Sequence, residues 1–392
     1  MLPFTRSSGL RTRLSATLIP LFVGLFLIAL PVSSESAQPE PDKGIWRTAA
    51  SMPTKRTEVA AAALDGKIYV VGGFEKPSLG NMLNFAITPS VEMYDPATDR
   101  WIPKAPLPVG LHHVGIGVVG GRLYVIGGYT KSAFSVWNPV ATVYAYDPAM
   151  DSWTERASMP TARGALSVTE HEGKLYAIGG YDRKANPSAV ELYDPLRNVW
   201  TTAAPLPTPR DHLAAATVNG KIYAIGGRVN GDYSQNLAIA ESYDPTNDRW
   251  TRVADLPTAR SGITADVVEG KIYVFGGEGA TGTFSENEAY DPVHDTWQRM
   301  APMPTARHGL GSAVVQGRIY VISGGPTPGG SFSDLNEVFT PPSGNHPKTD
   351  YPQVSTVDNS HWICGQMAEI CRRPALVRSF FRHPSVAYIT DF

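Results

Sequence analysis

The side chains best suited to chemistry in this chain recur in one phase. Arg56, Arg163, Arg210, Arg260 and Arg307 each follow a Met-Pro or Leu-Pro turn and open an apolar stretch, with Leu111 in the corresponding place of a sixth copy. Just after them come Thr57, His112, Gly164, Asp211, Ser261 and His308, and then Glu58, His113 and His212. Five guanidinium groups gathered on one surface would suit a carboxylate, a sulfate or an acidic peptide, because the planar fork donates paired, charge-assisted hydrogen bonds. Alanine at Arg163, Arg210 and Arg260 should then abolish capture with little change in melting temperature. Four imidazoles around one axis could also hold a transition metal. The first and second residues after each arginine should, however, point to opposite sides of a strand. The histidines are therefore expected as a solvated rim, with neither a metal nor another cofactor implied. Trp137 stands outside this phase in a long loop, placed either to stack on a sugar or peptide or to pack within the loop. No His-Glu-x-x-His helix, glycine-rich phosphate loop or Gly-x-Ser-x-Gly elbow accompanies these residues.

Composition narrows the classes that remain. The 34 basic and 36 acidic side chains leave a formal net charge of -2, so no partnership with nucleic acid is expected. Hydrophobic residues make up 42% of the 392, with 37 glycines and 33 prolines. That is a chain able to bury a large core of strands and turns, and not a collagen, a coiled coil or a polytopic membrane protein. The two cysteines, Cys364 and Cys371, give no disulfide framework and no zinc pair.

The two ends read differently from the middle. Arg6, Arg11 and Arg13 precede an uncharged apolar stretch from Leu18 to Leu30, followed by Ser33, Ser34, Ser36 and Ala37. This is the order of a secretory signal peptide. Residues 1–37 are expected to export the chain to the periplasm or beyond the cell; left uncleaved, the same segment would be an N-terminal anchor. Residues 38–42 read as a linker, and no membrane insertion of the mature domain is expected. Residues 342–392 form a tail in which 361–382 has helical apolar spacing. On that helix Cys364 and Cys371 would stand about 10 Å apart, too far for a disulfide.

Between the ends runs a repeat. Trp46, Trp101, Trp153, Trp200, Trp250 and Trp297 are spaced by 55, 52, 47, 50 and 47 residues, a period of propellers and solenoids. Each period holds an apolar strand, a two-residue turn, a tyrosine strand ending in paired glycines, a variable loop, Tyr-Asp-Pro and then tryptophan. Turns such as Asp65-Gly66, Glu172-Gly173 and Asn219-Gly220 place glycine where a type I′ hairpin needs positive φ. Each period is thus predicted to be a four-stranded antiparallel sheet. Ile322-Ser323-Gly324-Gly325 lies one residue out of step with the other glycine pairs, which predicts a bulge there.

The third period reads Met159-Pro160-Thr161-Ala162-Arg163, then Lys174-Leu175-Tyr176-Ala177-Ile178-Gly179-Gly180, Tyr193-Asp194-Pro195 and Trp200. This pattern resembles the kelch motif, over roughly residues 43–341. The resemblance implies an all-β fold, a six-bladed kelch β-propeller with a C-terminal appendage, each blade's innermost strand being the apolar one after the arginine. The sixth copy lacks the final tryptophan and Trp46 lacks a preceding blade, so Gly44 to Arg47 should supply the sixth blade's outer strand and close the ring. The variable segments 74–90, 129–141, 181–188, 228–239, 278–286 and 326–333 then share one face with the arginines. In kelch proteins that capture acidic peptides, arginines and polar residues at these strand starts line the pocket; an arginine there also serves hydrogen bonding between blades. The resemblance implies an exported binding module for an extracytoplasmic protein or glycan. The alternative is a periplasmic carbohydrate-active enzyme of the sialic-acid mutarotase or epimerase type, with Glu58, Asp211 and the arginines as its working groups. Galactose-oxidase-like copper chemistry needs a cysteine-crosslinked tyrosine, and residues 46–341 contain no cysteine.

Overall fold

The computed structural model describes residues 42–76, 86–133 and 135–342. The expected signal segment and residues 343–392 of the tail, with the helix expected there, lie outside the described residues. Among these residues there is no helix, and six antiparallel four-stranded sheets carry the architecture. The third blade shows how the sequence builds one, with strands Ser167–His171, Lys174–Ile178, Val190–Asp194 and Val199–Thr202 paired in order. Its first turn has φ of 48° at Glu172 and 75° at Gly173, the two positive values a type I′ hairpin requires.

After a basic first residue, the second strand of every blade is apolar without alternation and buried, as in Leu175–Ile178 and Ile222–Ile225. Such a run follows from being covered on both faces, here by the neighbouring blades. The innermost strands pack side by side in chain order, and Gly311–Val315 of blade six also packs against Ala60–Leu64 of blade one. Ile45–Thr48 is the outer strand of the sixth sheet, pairing with Asn336–Thr340 so that Trp46 lies opposite Phe339. Each repeat tryptophan ties its blade to the incoming linker through its indole N–H. Trp200 donates to the Ala157 carbonyl and Trp46 to the Ala301 carbonyl, both at 2.8 Å.

The predicted bulge at blade six is absent. Ser323 (φ 62°) and Gly324 (φ 95°) hold the places that Gly179 (φ 62°) and Gly180 (φ 107°) hold in blade three, and the strand register runs through without a shift. Ser323 tolerates the left-handed position because its hydroxyl donates to the Arg56 carbonyl at 2.6 Å. Gly325 then bridges His308 as Tyr181 bridges Gly164.

Candidate functional site

The five repeat arginines do not form a rim. Arg56, Arg163, Arg210, Arg260 and Arg307 are all 0% exposed. In Arg163, Nη1 donates to Glu191 Oε2 (2.5 Å) and the Thr161 carbonyl (2.9 Å), Nη2 to the Ala177 carbonyl (3.0 Å) and Nε to the Gly179 carbonyl (2.7 Å). Arg56, Arg210, Arg260 and Arg307 pair likewise with Glu92, Glu241, Glu288 and Glu337. The other carboxylate oxygen in each pair accepts a hydroxyl from Thr54, Thr161, Thr208, Thr258 or Thr305. Burial pulls each guanidinium below the usual arginine range, against the opposing pull of its glutamate. The reason for this correction is backbone satisfaction: carbonyls near the glycine pair need donors where the ladder ends, and a buried guanidinium supplies them.

What gathers around the axis is a collar two residues further on. Glu58, His113, Ala165, His212, Gly262 and Gly309 all have left-handed φ, at 54°, 53°, 55°, 53°, 66° and 58°. Their backbones form a chain of hydrogen bonds from blade to blade: His113 N–H to Glu58 O (3.2 Å), Ala165 to His113 (2.9 Å), His212 to Ala165 (2.9 Å), Gly262 to His212 (2.9 Å) and Gly309 to Gly262 (3.1 Å). The left-handed step cancels the two-residue alternation of a strand, so His112 and His113 meet with their Nδ1 atoms 2.6 Å apart. The four histidines, expected as a solvated rim on opposing sides, are instead buried: His112 and His308 are 0% exposed, His113 8% and His212 9%.

These groups form one network. Asp211 Oδ1 accepts His212 Nδ1–H at 2.5 Å, and Asp211 Oδ2 accepts Asn186 Nδ2 at 2.6 Å and the Gly231 N–H at 2.9 Å. Burial pushes the Asp211 carboxyl up, but the His212 and Asn186 hydrogen bonds and the Arg228 charge hold it below the usual range. Arg228 donates to His212 Nε2 (2.7 Å) and Glu278 Oε1 (2.7 Å). His112 Nε2 faces the Val136 carbonyl at 2.8 Å, so it carries the proton and leaves Nδ1 to accept from His113. Burial pushes the His112 imidazole down to about 3 and holds His113 well below its usual range. Ser261 donates to Asn236 Oδ1 at 2.7 Å, and Thr57 is buried beside the collar. Arg228 and Glu278 were missed by the sequence reading. Their signal was the place directly after each glycine pair, which bridges the residue after the arginine in neighbouring backbone.

Trp137 covers the network from outside. Its ring packs on Phe74, His112, Tyr129 and His113 at centroid distances of 5.7, 5.0, 5.5 and 5.2 Å. The Arg183 guanidinium lies 5.5 Å from the Trp137 ring and 5.5 Å from the Tyr181 ring. Of the candidate residues, the structure brings together Glu58, the four histidines, Asp211 and Trp137, and it withdraws the arginines into the blades.

Beneath the collar an axial cavity of about 540 Å³ runs between the inner strands, walled mainly by small apolar side chains such as Ala61, Gly117, Ala215 and Ala265. Asp266 lies in this wall with Oδ2 lacking a hydrogen-bond partner, and burial pushes its carboxyl from 3.8 up to about 7. A folded-state value above the unfolded one means that stability is full below about pH 4 and is lost as pH rises toward 7. Asp266→Asn should therefore gain in melting temperature over the native chain as pH goes from 5 to 8; a gap independent of pH would contradict this assignment.

The chain matches the KLHDC2/KLHL20/DRC7 Kelch-repeats domain over residues 113–255 and 165–341, and the Kelch motif over residues 55–108. Kelch-like protein terF of Aspergillus terreus is 31% identical over 176 residues, which cover 43% of this chain and 37% of that protein. Beta-scruin of Limulus polyphemus is 32% identical over 137 residues, covering 34% and 14% respectively. Kelch-like protein 28 of Homo sapiens is 38% identical over 101 residues, covering 25% and 18%. The matched part of the chain thus spans between 14% and 37% of the length of these relatives. The solved structure of YjhT aligns with 76% of this chain and 98% of its own at a TM-score of 0.64 and 17% identity, a likeness of fold. With six sheets of one pattern and family matches reaching from residue 55 to residue 341, the chain belongs to the kelch-repeat family.

Proposed function

We propose that this protein is an exported binding module whose ligand, a protein or a glycan, docks on the loop-bearing face above the histidine collar. The observation that carries this reading is the exposed Arg183 guanidinium held against the Trp137 and Tyr181 rings, each 5.5 Å away. Its loop is set by the Asp182 carboxylate, which accepts the Lys184 and Ala185 N–H groups at 2.7 and 2.8 Å. A cation and aromatic faces presented on ordered backbone lose little entropy on binding and suit a sugar ring or an acidic side chain. With the repeat arginines neutralised inside the blades, the cations open to an acidic ligand on these loops are exposed ones such as Arg183 and Lys184. The family likeness supports a binding role, and the basic start and apolar Leu18–Leu30 stretch support export. A thermal-shift screen of the mature chain against acidic and neutral oligosaccharides and acidic peptides should yield a stabilising ligand. Trp137→Ala or Arg183→Ala should then weaken its binding by about tenfold or more; unchanged affinity in both would remove this surface from the proposal.

A second reading, a sugar mutarotase or epimerase, is favoured by one observation. The collar holds buried carboxylate–imidazole contacts, Asp211 with His212 at 2.5 Å and Glu58 with His113 at 3.1 Å, the partners that proton transfer uses. Accelerated anomerisation of sialic acid, followed by NMR and abolished by Asp211→Asn, would replace the binding reading.

A further inference from the structure

We propose a divalent-cation site in the collar, formed by Glu58 Oε1, Glu278 Oε2 and His308 Nε2. His308 is fully buried and donates Nδ1–H to the Gly325 carbonyl at 3.0 Å, so its Nε2 presents a lone pair. That nitrogen has no hydrogen-bond partner. It is aimed at two carboxylate oxygens, Glu58 Oε1 at 3.4 Å and Glu278 Oε2 at 3.5 Å. All three donor atoms lie within 4.8 Å of one another. These separations are long for hydrogen bonds, but they match the edge of a coordination tetrahedron, about 3.4 Å for metal–ligand bonds of about 2.1 Å.

Three further observations converge on the same point. His113 Nδ1–H is committed to His112, which turns the bare His113 Nε2 toward Glu58 Oε2 at 3.1 Å. A lone pair facing a carboxylate is unfavourable unless a proton or a cation compensates it, so this carboxylate is short of a positive partner. Next, Glu58, Asp211 and Glu278 supply three carboxylates against the single Arg228 guanidinium. Arg228 offsets one of them, and the two that remain are the complement of a divalent ion. Finally, Gly309 makes the room: a Cβ there would fall 2.6 Å from Glu58 Oε1. The second nearby grouping, Glu58 with His113 and His212, is less suited, because His212 Nε2 already accepts from Arg228. Glu278 Oε2 also accepts the Gly329 N–H at 3.1 Å, which orients the carboxylate. Two carboxylates and one imidazole suit Zn²⁺ or Mn²⁺, with Zn²⁺ favoured by the two nitrogen–oxygen separations, and leave a fourth position open to water or to a ligand's anionic group.

The test uses the untagged mature chain, stripped with chelator and titrated calorimetrically with ZnCl₂ and MnCl₂. We expect one saturable equivalent, a melting temperature raised by several degrees at a hundredfold excess over Kd, and, with Co²⁺, the intense visible absorption of a tetrahedral site. His308→Ala and Glu278→Gln should each weaken binding by about a hundredfold or more, while the exposed His294→Ala leaves it unchanged. Absence of stoichiometric binding to the native chain overturns the proposal, as does full affinity in both variants. If both variants fail to fold, the Co²⁺ spectrum of the native chain decides, and a weak octahedral spectrum overturns it.

Discussion

Arg260→Ala is expected to destabilise the propeller by about 3–5 kcal/mol, seen as a large fall in the urea midpoint, because it strips the buried Glu288 of its close cation and leaves it only the exposed Arg299 Nε at 3.8 Å. The Val274 and Gly276 carbonyls lose their guanidinium donors in the same step. This reverses the expectation that alanine at Arg163, Arg210 and Arg260 would spare the melting temperature. Blade two shows how the chain does without the pair. There Leu111 replaces the arginine, Tyr144 stands where the glutamate would be, and Val109 takes the place of the threonine; Leu111 and Tyr144 are both buried in an apolar cluster. Transplanting that solution into blade five, as Thr258→Val with Arg260→Leu and Glu288→Tyr, should recover most of the loss, since replacing a whole buried ion pair by packed apolar groups is often neutral. An alanine variant with the native midpoint would show that the guanidinium is dispensable.

Gly227→Ala should cost about 2–5 kcal/mol, the sum of overpacking and an unfavourable backbone conformation. Gly227 has φ of 101°, and a Cβ would lie 2.7 Å from the Asp211 carbonyl, which the bridge between Asp211 and Arg228 holds in place. The damage would reach the collar, because Asp211 orients His212. Gly220→Ala is the internal control: its φ of 73° is also left-handed, but nothing lies within 4 Å of the added Cβ. It should cost only about 1 kcal/mol. Equal midpoints for the two variants in urea would mean that close approach at the glycine pair is unimportant.

Part of the site is legible in the sequence. Glutamate stands two residues before the aromatic of the third strand in Glu92, Glu191, Glu241, Glu288 and Glu337, and it is missing only in the copy that also lacks the arginine. That coincidence marks Arg and Glu as one buried unit. The collar was less accessible. Its geometry depends on six residues of different types, Glu58, His113, Ala165, His212, Gly262 and Gly309, sharing a left-handed φ, and no residue preference links them. The serine at 323 misled for a related reason: it occupies a position that the other blades give to glycine, and only its hydroxyl bond to the Arg56 carbonyl explains why it fits.

The blades themselves were written in local terms. Turn glycines, doubly covered apolar runs and repeat tryptophans each act over a few residues and recur, so periodicity was enough to predict a four-stranded sheet for each period, and the kelch resemblance then placed the strand of Trp46 at the edge of the sixth sheet, where it pairs with the strand of Phe339. Which polar groups face solvent and which face each other depends on contacts between residues tens to hundreds of positions apart. Glu58 meets His308, and Arg228 meets Glu278, because separate blades bring them to one axis. Burial there turned the arginines into scaffold and drew the histidines and carboxylates into a single network, since desolvated charge must find a partner wherever the packing leaves it.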